Sequence, residues 1–348
     1  MNIHEERLGE FQDLLAANGL DGYIVSSKTD QGFLTGYHMN DYLLFVGRKK
    51  AWALLSVMLK DQFLGIAPFC GAIASDDLKA AVQDLAASQR MKKIAFDPSS
   101  EPYLQGSFWK KKGFIEKPGL AAQLRLTKRG EEIKLLRKAG QIAAKAFQSI
   151  KSRIRPGMTE RGVLLMLEHK MQELGASGPS FDTIIGSGPN SALPHHCTSE
   201  RVLKNNQTLL LDFGCVYNHY CSDITRTIFL GKPDRKFLEM YALVERSYRA
   251  GVAAVRDGVP AFNVDKVCRD IITEAGYGKY FIHGTGHGVG MEIHEAPRLN
   301  TKTTATLKTG MAVTVEPGVY FHGKFGIRIE DTVLVTDQGC ELLTGGLK

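Results

Sequence analysis

The segment Thr208-Leu209-Leu210-Leu211 is an unbroken apolar run that ends on Asp212, and the alternating stretch Cys221-Ser222-Asp223-Ile224-Thr225-Arg226-Thr227-Ile228-Phe229 carries a second acid, Asp223. Both read as strands. If they form a hairpin turning near Tyr217-Asn218, with partner numbers summing to about 435, Asp212 and Asp223 face each other across a sheet. Two unpaired carboxylates in a partly buried site repel strongly, so this arrangement requires a shared proton or a cation between them. Period-two alternation puts Thr225 on the face of Asp223, where its hydroxyl can orient a carboxylate or a water. The competing reading is a surface hairpin whose acids are solvated.

Two further strands repeat the logic. Ala312-Val313-Thr314-Val315 delivers Glu316 to a Pro317-Gly318 turn, and Phe325 to Val333 alternates as one strand with Arg328, Glu330 and Thr332 on one face. Between the two pairs lies Ile282 to Glu295, which packs three of the ten histidines into twelve residues among four glycines. Glycine at that frequency weakens helix and strand alike, and is expected where the backbone must pass close to something, here a ligand or a crowded metal site. A glycine-rich turn with satisfied histidines, or a loop resembling a phosphate cradle, are the plainer readings. One imidazole with the four carboxylates of Asp212, Asp223, Glu316 and Glu330 suits two divalent cations bridged by acids. The oxygen-rich set favours Mn²⁺ or Co²⁺, with Zn²⁺ also compatible. Such a centre lowers the pKa of a water and polarises the carbonyl that the water attacks.

The remaining chain organises around this half. At 348 residues the length suits two domains. The expected boundary lies near residue 123: the pattern breaks at Glu116-Lys117-Pro118-Gly119, and from Lys128 a long charged helix keeps Ile133, Leu136, Ala139, Ile142, Ala143 and Phe147 on one face. A second helix is expected over Thr159 to Leu174, and two more over Asp234 to Arg256 and Phe262 to Ala275, covering a sheet. Residues 1–123 read as a small α/β unit, with a helix over 4–18, a strand at Gly22-Tyr23-Ile24-Val25, a strand pair at Asp41 to Val46 and Trp52 to Met58, a helix over Asp76 to Ala87 and a strand at Lys93 to Phe96. This unit carries no phosphate loop, paired acids or nucleophile elbow, so assembly or active-site enclosure is its expected role.

The net charge of +7 is spread along the chain. The basic runs Arg48-Lys49-Lys50 and Lys110-Lys111-Lys112 read as solvated loops rather than a nucleic-acid footprint, since no aromatic interleaving accompanies them. No stretch approaches the ~18 apolar residues of a membrane span, and the N-terminus lacks the apolar core of a signal peptide. A cytoplasmic protein with no membrane partner is expected. The six cysteines never fall in a CxxC spacing and read as reduced, mostly buried thiols.

Five segments together resemble the motif set of the pita-bread metallopeptidases: Leu211-Asp212-Phe213-Gly214, Ser222-Asp223-Ile224-Thr225-Arg226-Thr227, His283-Gly284-Thr285-Gly286-His287-Gly288, Glu316-Pro317-Gly318-Val319-Tyr320 and Gly326-Ile327-Arg328-Ile329-Glu330-Asp331. Within that family the chain is similar to the prolidase and aminopeptidase P branch, and residues 1–123 resemble its creatinase-type N-terminal domain. The resemblance implies an α/β (α+β) chain whose second domain, 124–348, is a curved antiparallel sheet covered by helices. It implies Asp212, Asp223, His287, Glu316 and Glu330 as ligands of two metal ions, with Asp223 and Glu330 bridging. It also implies His195, His283 and His294 as residues that bind substrate and stabilise the transition state, and Arg328 as an accessory group. His196 is the neighbour to be set aside in favour of His195.

The activity implied is hydrolysis of an Xaa-Pro bond by a metal-activated water, in a dipeptide or at the N-terminus of a short peptide, with Glu316 shuttling the proton. A bond to proline is a tertiary amide without the N–H on which general proteases rely. Arg298 and Tyr320 are candidates for substrate contact, and Tyr37-His38 for a lid supplied by a neighbouring subunit in a homodimer. Alternatives are a non-prolyl aminopeptidase of the same fold, a metal-free creatinase, which the complete ligand set opposes, and a non-catalytic peptide- or nucleic-acid-binding relative.

Overall fold

The computed structural model describes residues 2–345, which divide into two compact units between Arg125 and Leu126. The expected boundary near residue 123 falls inside the short helix that closes the first unit.

In the first unit, Asn2 accepts the His4 amide and starts α1 (Ile3–Ala17), whose Phe11 and Leu15 are fully buried. There follow β1 (Gly22–Val25), α2 (Lys28–Thr35), β2 (Tyr42–Gly47), β3 (Ala51–Leu55), α3 (Val57–Ile66), β4 (Gly71–Ala74), α4 (Leu78–Ser88), β5 (Ile94–Phe96), α5 (Tyr103–Lys111), β6 (Ile115–Glu116) and α6 (Ala122–Arg125). The strands form one mixed sheet in the order β4-β3-β2-β1-β5-β6. The expected strand to Met58 ends three residues early. Ser56 takes the Met58 amide on its hydroxyl and begins α3 instead. Helix α2, absent from the sequence reading, starts on Ser27 in the same way. Tyr37 is 1% exposed and packs edge-on against Tyr42 and Phe63, so it is a core residue of this unit and not a lid.

The second unit begins with α7 (Gly130–Lys151) and α8 (Glu160–Glu173), the latter capped by the Thr159 hydroxyl, which accepts the Gly162 amide. Short strand β7 (Gly178–Pro179), β8 (Ile184–Ser187), β9 (Gln207–Phe213), β10 (Cys215–Tyr217), β11 (Tyr220–Cys221) and β12 (Ile224–Leu230) come next. After α9 (Arg235–Ala254) and α10 (Ala261–Glu274), the chain completes β13 (Gly286–Gly288), β14 (Glu295–Leu299), β15 (Ala312–Val315), β16 (Gly318–Phe321), β17 (Phe325–Arg328), β18 (Asp331–Thr336) and β19 (Gly339–Leu342). Every pairing between these strands is antiparallel.

Alternation decides which face meets the helices. On β9, Leu209, Leu211 and Phe213 pack with Ala139, Phe147, Val163 and Leu167 of α7 and α8, which turns Asp212 the other way. On β15 and β18, Val313, Val315, Val333 and Val335 pack with Val244 and Tyr248 of α9 and Val264 and Cys268 of α10. Each such aliphatic side chain contributes roughly 1.5–3 kcal/mol on burial. The apolar faces therefore hold the sheets rigid against helices and leave the opposite faces to present acids. Among the described residues no helix is long and apolar enough to cross a membrane.

Candidate functional site

The register of β9 against β12 differs from the expected one. Thr225, not Asp223, lies opposite Asp212, and partners sum to 437 through the outer pair Tyr217–Tyr220. The reason is the turn: Asn218 and His219, both with positive φ (45° and 70°), make a two-residue loop that sits one residue later than anticipated. An offset of two preserves the face, so Asp212 and Asp223 still line the same cavity. The stretch from Phe325 to Val333 is not one strand either. Pairing breaks at Ile329-Glu330, where the Glu330 amide is taken by the Thr225 carbonyl, and the chain passes from the β16–β17 pair into the five-stranded sheet.

A cavity of about 950 Å³ is lined by Asp212, Asp223, His287, Glu316 and Glu330, and also by His195, His283, His294, Arg298 and Arg328. Asp223, His287 and Glu330 are buried, with one donor atom of each lying within 4.8 Å of the others. Arg328 braces the acids: Nη2 donates to Asp212 Oδ2 (2.5 Å), and Nε donates to the Thr225 hydroxyl (3.1 Å), which donates to Glu330 Oε2 (2.5 Å). Each of these two acids thus has one oxygen held by protein. The other oxygens, Asp212 Oδ1 and Glu330 Oε1, are buried with no hydrogen-bond partner among the described residues.

The protonation states make the same point. Burial, then the Glu330, Asp212 and Glu316 carboxylates, push Asp223 well above the usual carboxylate range, and burial with Glu316 and Asp212 does the same to Glu330. Glu316 is pushed up to about 7, chiefly by burial. Burial lowers His287 to about 3, so its ring is neutral. Its Nδ1 lies 3.1 Å from the Gly288 carbonyl, which only accepts, and therefore carries the proton. The lone pair on Nε2 then faces Asp223 Oδ2 and Glu316 Oε1, each 3.5 Å away. Neutral imidazole offers these carboxylates no ion pair. A lone pair directed at two carboxylate oxygens, beside two orphaned buried oxygens, is the donor set of a divalent cation, and the residues fit such an ion.

The glycines of the histidine stretch have a different purpose from the one expected. A Cβ on Gly286 would lie 2.0 Å from the Thr314 carbonyl oxygen, and one on Gly288 2.2 Å from that of Ala296. They let β13 sit against its neighbouring strands rather than against a ligand. The strand in turn aims His287, whose amide is held by the Thr314 hydroxyl.

His283 lines the cavity with both ring nitrogens engaged. Nδ1 donates to the Gly284 carbonyl (2.7 Å), so Nε2 accepts from the Tyr320 hydroxyl (2.8 Å), which itself accepts from Arg328 Nη1 (2.8 Å). Burial and Arg328 lower its pKa to about 4. His294 is exposed and stacks edge-on against His287, with ring centroids 4.5 Å apart. Burial, with Arg298 and His195, lowers its pKa too. Arg298, on β14, is the register partner of His287. His38 belongs to the first unit, where its ring covers Gly32 of α2.

Sequence reasoning missed the brace behind His283. Asp265, fully buried on α10, accepts from the Thr285 amide and hydroxyl (3.0 Å each) and from Arg269, while Arg269 donates to the carbonyls of Phe281 and His283. An Asp–Arg pair four residues apart on a helix looks like a surface ion pair. Its only distinguishing signal is that Asp265 falls on the apolar face with Val264 and Cys268.

Residues 134–337 match the family model for Metallopeptidase family M24, and residues 7–127 match that for the Creatinase/Prolidase N-terminal domain. The chain is 46% identical over 221 residues, 64% of each chain, to the Xaa-Pro dipeptidase of Pyrococcus furiosus. Its fold superposes on an Xaa-Pro dipeptidase from Bacillus anthracis with a TM-score of 0.96 at 37% identity, covering 99% of this chain and 98% of that one. An X-Pro aminopeptidase from Thermotoga maritima is similar at a TM-score of 0.90 and 31% identity, covering 99% and 98%.

Proposed function

The chain belongs to metallopeptidase family M24, and on that premise we propose that it is an Xaa-Pro dipeptidase that acts with two divalent metal ions. The observation that carries this reading is the convergence of four acids and a neutral imidazole on one cavity, with protein bonds holding one oxygen each of Asp212 and Glu330 and leaving the other open. Asp212, Asp223, His287, Glu316 and Glu330 are the residues that would hold the two ions. The oxygen-rich set supports Mn²⁺.

Bound metal supplies Lewis acidity for the scissile carbonyl and lowers the pKa of a water. The chain's residues do the rest. Glu316 takes the proton of the attacking water and returns it to the proline nitrogen. Thr225 and Arg328 keep Glu330 and Asp212 from rotating as charge develops. His195 and His294, on the open side of the cavity, hold the substrate and its developing oxyanion. His283, occupied on both nitrogens, fixes the Tyr320 hydroxyl and through it the Arg328 fork.

Arg298, on the strand beside His287, takes the free carboxylate of a dipeptide's proline. His38 is proposed as a substrate-side residue contributed within a homodimer, the assembly that the prolidase resemblance supports, with residues 1–123 serving enclosure and assembly. Six unpaired cysteines support a reducing, cytoplasmic setting. Comparing hydrolysis of an Xaa-Pro dipeptide with that of an Xaa-Pro-Yaa tripeptide tests the proposal. Preference for the dipeptide supports it, and preference for the tripeptide makes the protein an aminopeptidase P instead.

A further inference from the structure

His195 is exposed, and among the described residues its imidazole makes no hydrogen bond. Nothing on the ring itself fixes its direction towards the cavity, so its position depends on the backbone that carries it. That backbone is anchored from below by one carboxylate. Glu160, at the first turn of α8 and fully buried, accepts six hydrogen bonds, all from residues on either side of His195. Oε1 accepts from the Ser187 amide (2.8 Å), the Ser187 hydroxyl (2.8 Å) and Asn190 Nδ2 (2.9 Å). Oε2 accepts from His196 Nε2 (2.9 Å), the Ser199 amide (3.2 Å) and the Ser199 hydroxyl (2.6 Å).

From this geometry we infer that Glu160 is a positioning residue for His195, acting through His196: the two adjacent histidines divide their labour, one tethering the loop and the other facing the substrate. The two share one turn, closed by the His196 amide on the Leu193 carbonyl (3.1 Å), so holding the His196 ring on Glu160 fixes the backbone that presents His195 to the cavity it lines with His283 and His294. The donors outweigh the burial of Glu160 and keep it ionised, so His196 donates through Nε2. A carboxylate with six donors has no slack, and losing it releases residues 187–199 together. None of these residues lies among the proposed metal ligands, so the tether is separable from metal binding.

The inference rests on the proposed peptidase activity, and a double-mutant cycle tests it. Wild type, Glu160→Gln, His195→Ala and the double variant are compared for kcat, KM, metal content and Tm, with Ser199→Ala in place of Glu160→Gln should that variant not fold. Glu160→Gln is expected to lower kcat/KM on an Xaa-Pro dipeptide by about tenfold to a hundredfold with metal content unchanged, and to have no further effect in the His195→Ala background. Independent, multiplying losses would overturn the proposal, as would a lowered Tm with unchanged kcat/KM. The ring resonances of His195, followed by NMR, give a readout that does not depend on activity. They shift in Ser199→Ala if the tether exists and stay put if it does not, even should the wild-type protein prove inactive on Xaa-Pro substrates.

Discussion

Nε2 of His287 lies 3.5 Å from Oδ2 of Asp223, with the ring's only proton already given to the Gly288 carbonyl. In the metal-free protein such a site accumulates protons on its acids. Glu316 has a folded-state pKa of about 7, well above that of an unfolded glutamate. Its contribution to stability is therefore present at low pH and lost as the pH rises through about 7. His283 and His287, depressed to about 4 and 3, act in the opposite sense, and their contribution is lost as the pH falls below the ordinary imidazole range. Metal-free protein should thus lose Tm between pH 6.5 and 8, whereas metal-loaded protein, whose ligands are already deprotonated, should not. Calorimetry with and without chelator checks this, and identical profiles would count against the site.

Arg328 reaches Asp212, Thr225 and Tyr320 with three different nitrogens. A lysine keeps the charge but cannot span that fork. Arg328→Lys should lower kcat by roughly 10- to 100-fold, with Tm within a few degrees of wild type. Steady-state kinetics beside a thermal melt separates the two effects, and an unchanged kcat would remove Arg328 from the machinery.

Arg298 is exposed on β14 at the cavity wall. If it receives the proline carboxylate, Arg298→Ala should raise KM for a dipeptide by about tenfold or more and leave an amidated dipeptide, which lacks that charge, nearly unaffected. Equal losses on both substrates would assign Arg298 another role.

Gly286 meets the Thr314 carbonyl oxygen at a distance no Cβ tolerates. Gly286→Ala is expected to destabilise the protein by about 3 kcal/mol or more, since both partners are backbone. By contrast, Gly9→Ala, with open space around the position, should be neutral or slightly stabilising. Urea unfolding curves for the two variants make the comparison.

Much of the candidate site was legible because its parts are short and local. An apolar strand ending on an acid announces itself at Asp212 and Glu316, and a histidine among glycines does so at His287. What stayed hidden depends on geometry that several residues set jointly. The Asp212–Thr225 pairing hangs on two positive φ angles at Asn218 and His219, and Ser56 looks like strand until its hydroxyl caps a helix. The break at Ile329-Glu330 follows from the hydrogen bond that the Glu330 amide donates to the carbonyl of Thr225, which is remote in sequence. Glu160 and Asp265 are single acids on helices, and only burial distinguishes them from surface charge.

The acids around His287 are proposed to hold the metal that performs the reaction. The most direct test is to purify the wild-type protein and Glu330→Ala in parallel, measuring metal by mass spectrometry and hydrolysis of an Xaa-Pro dipeptide on the same samples. Stoichiometric divalent metal and hydrolysis are expected in the wild type, with loss of both in a folded Glu330→Ala. A variant that retains full metal and full activity would contradict it.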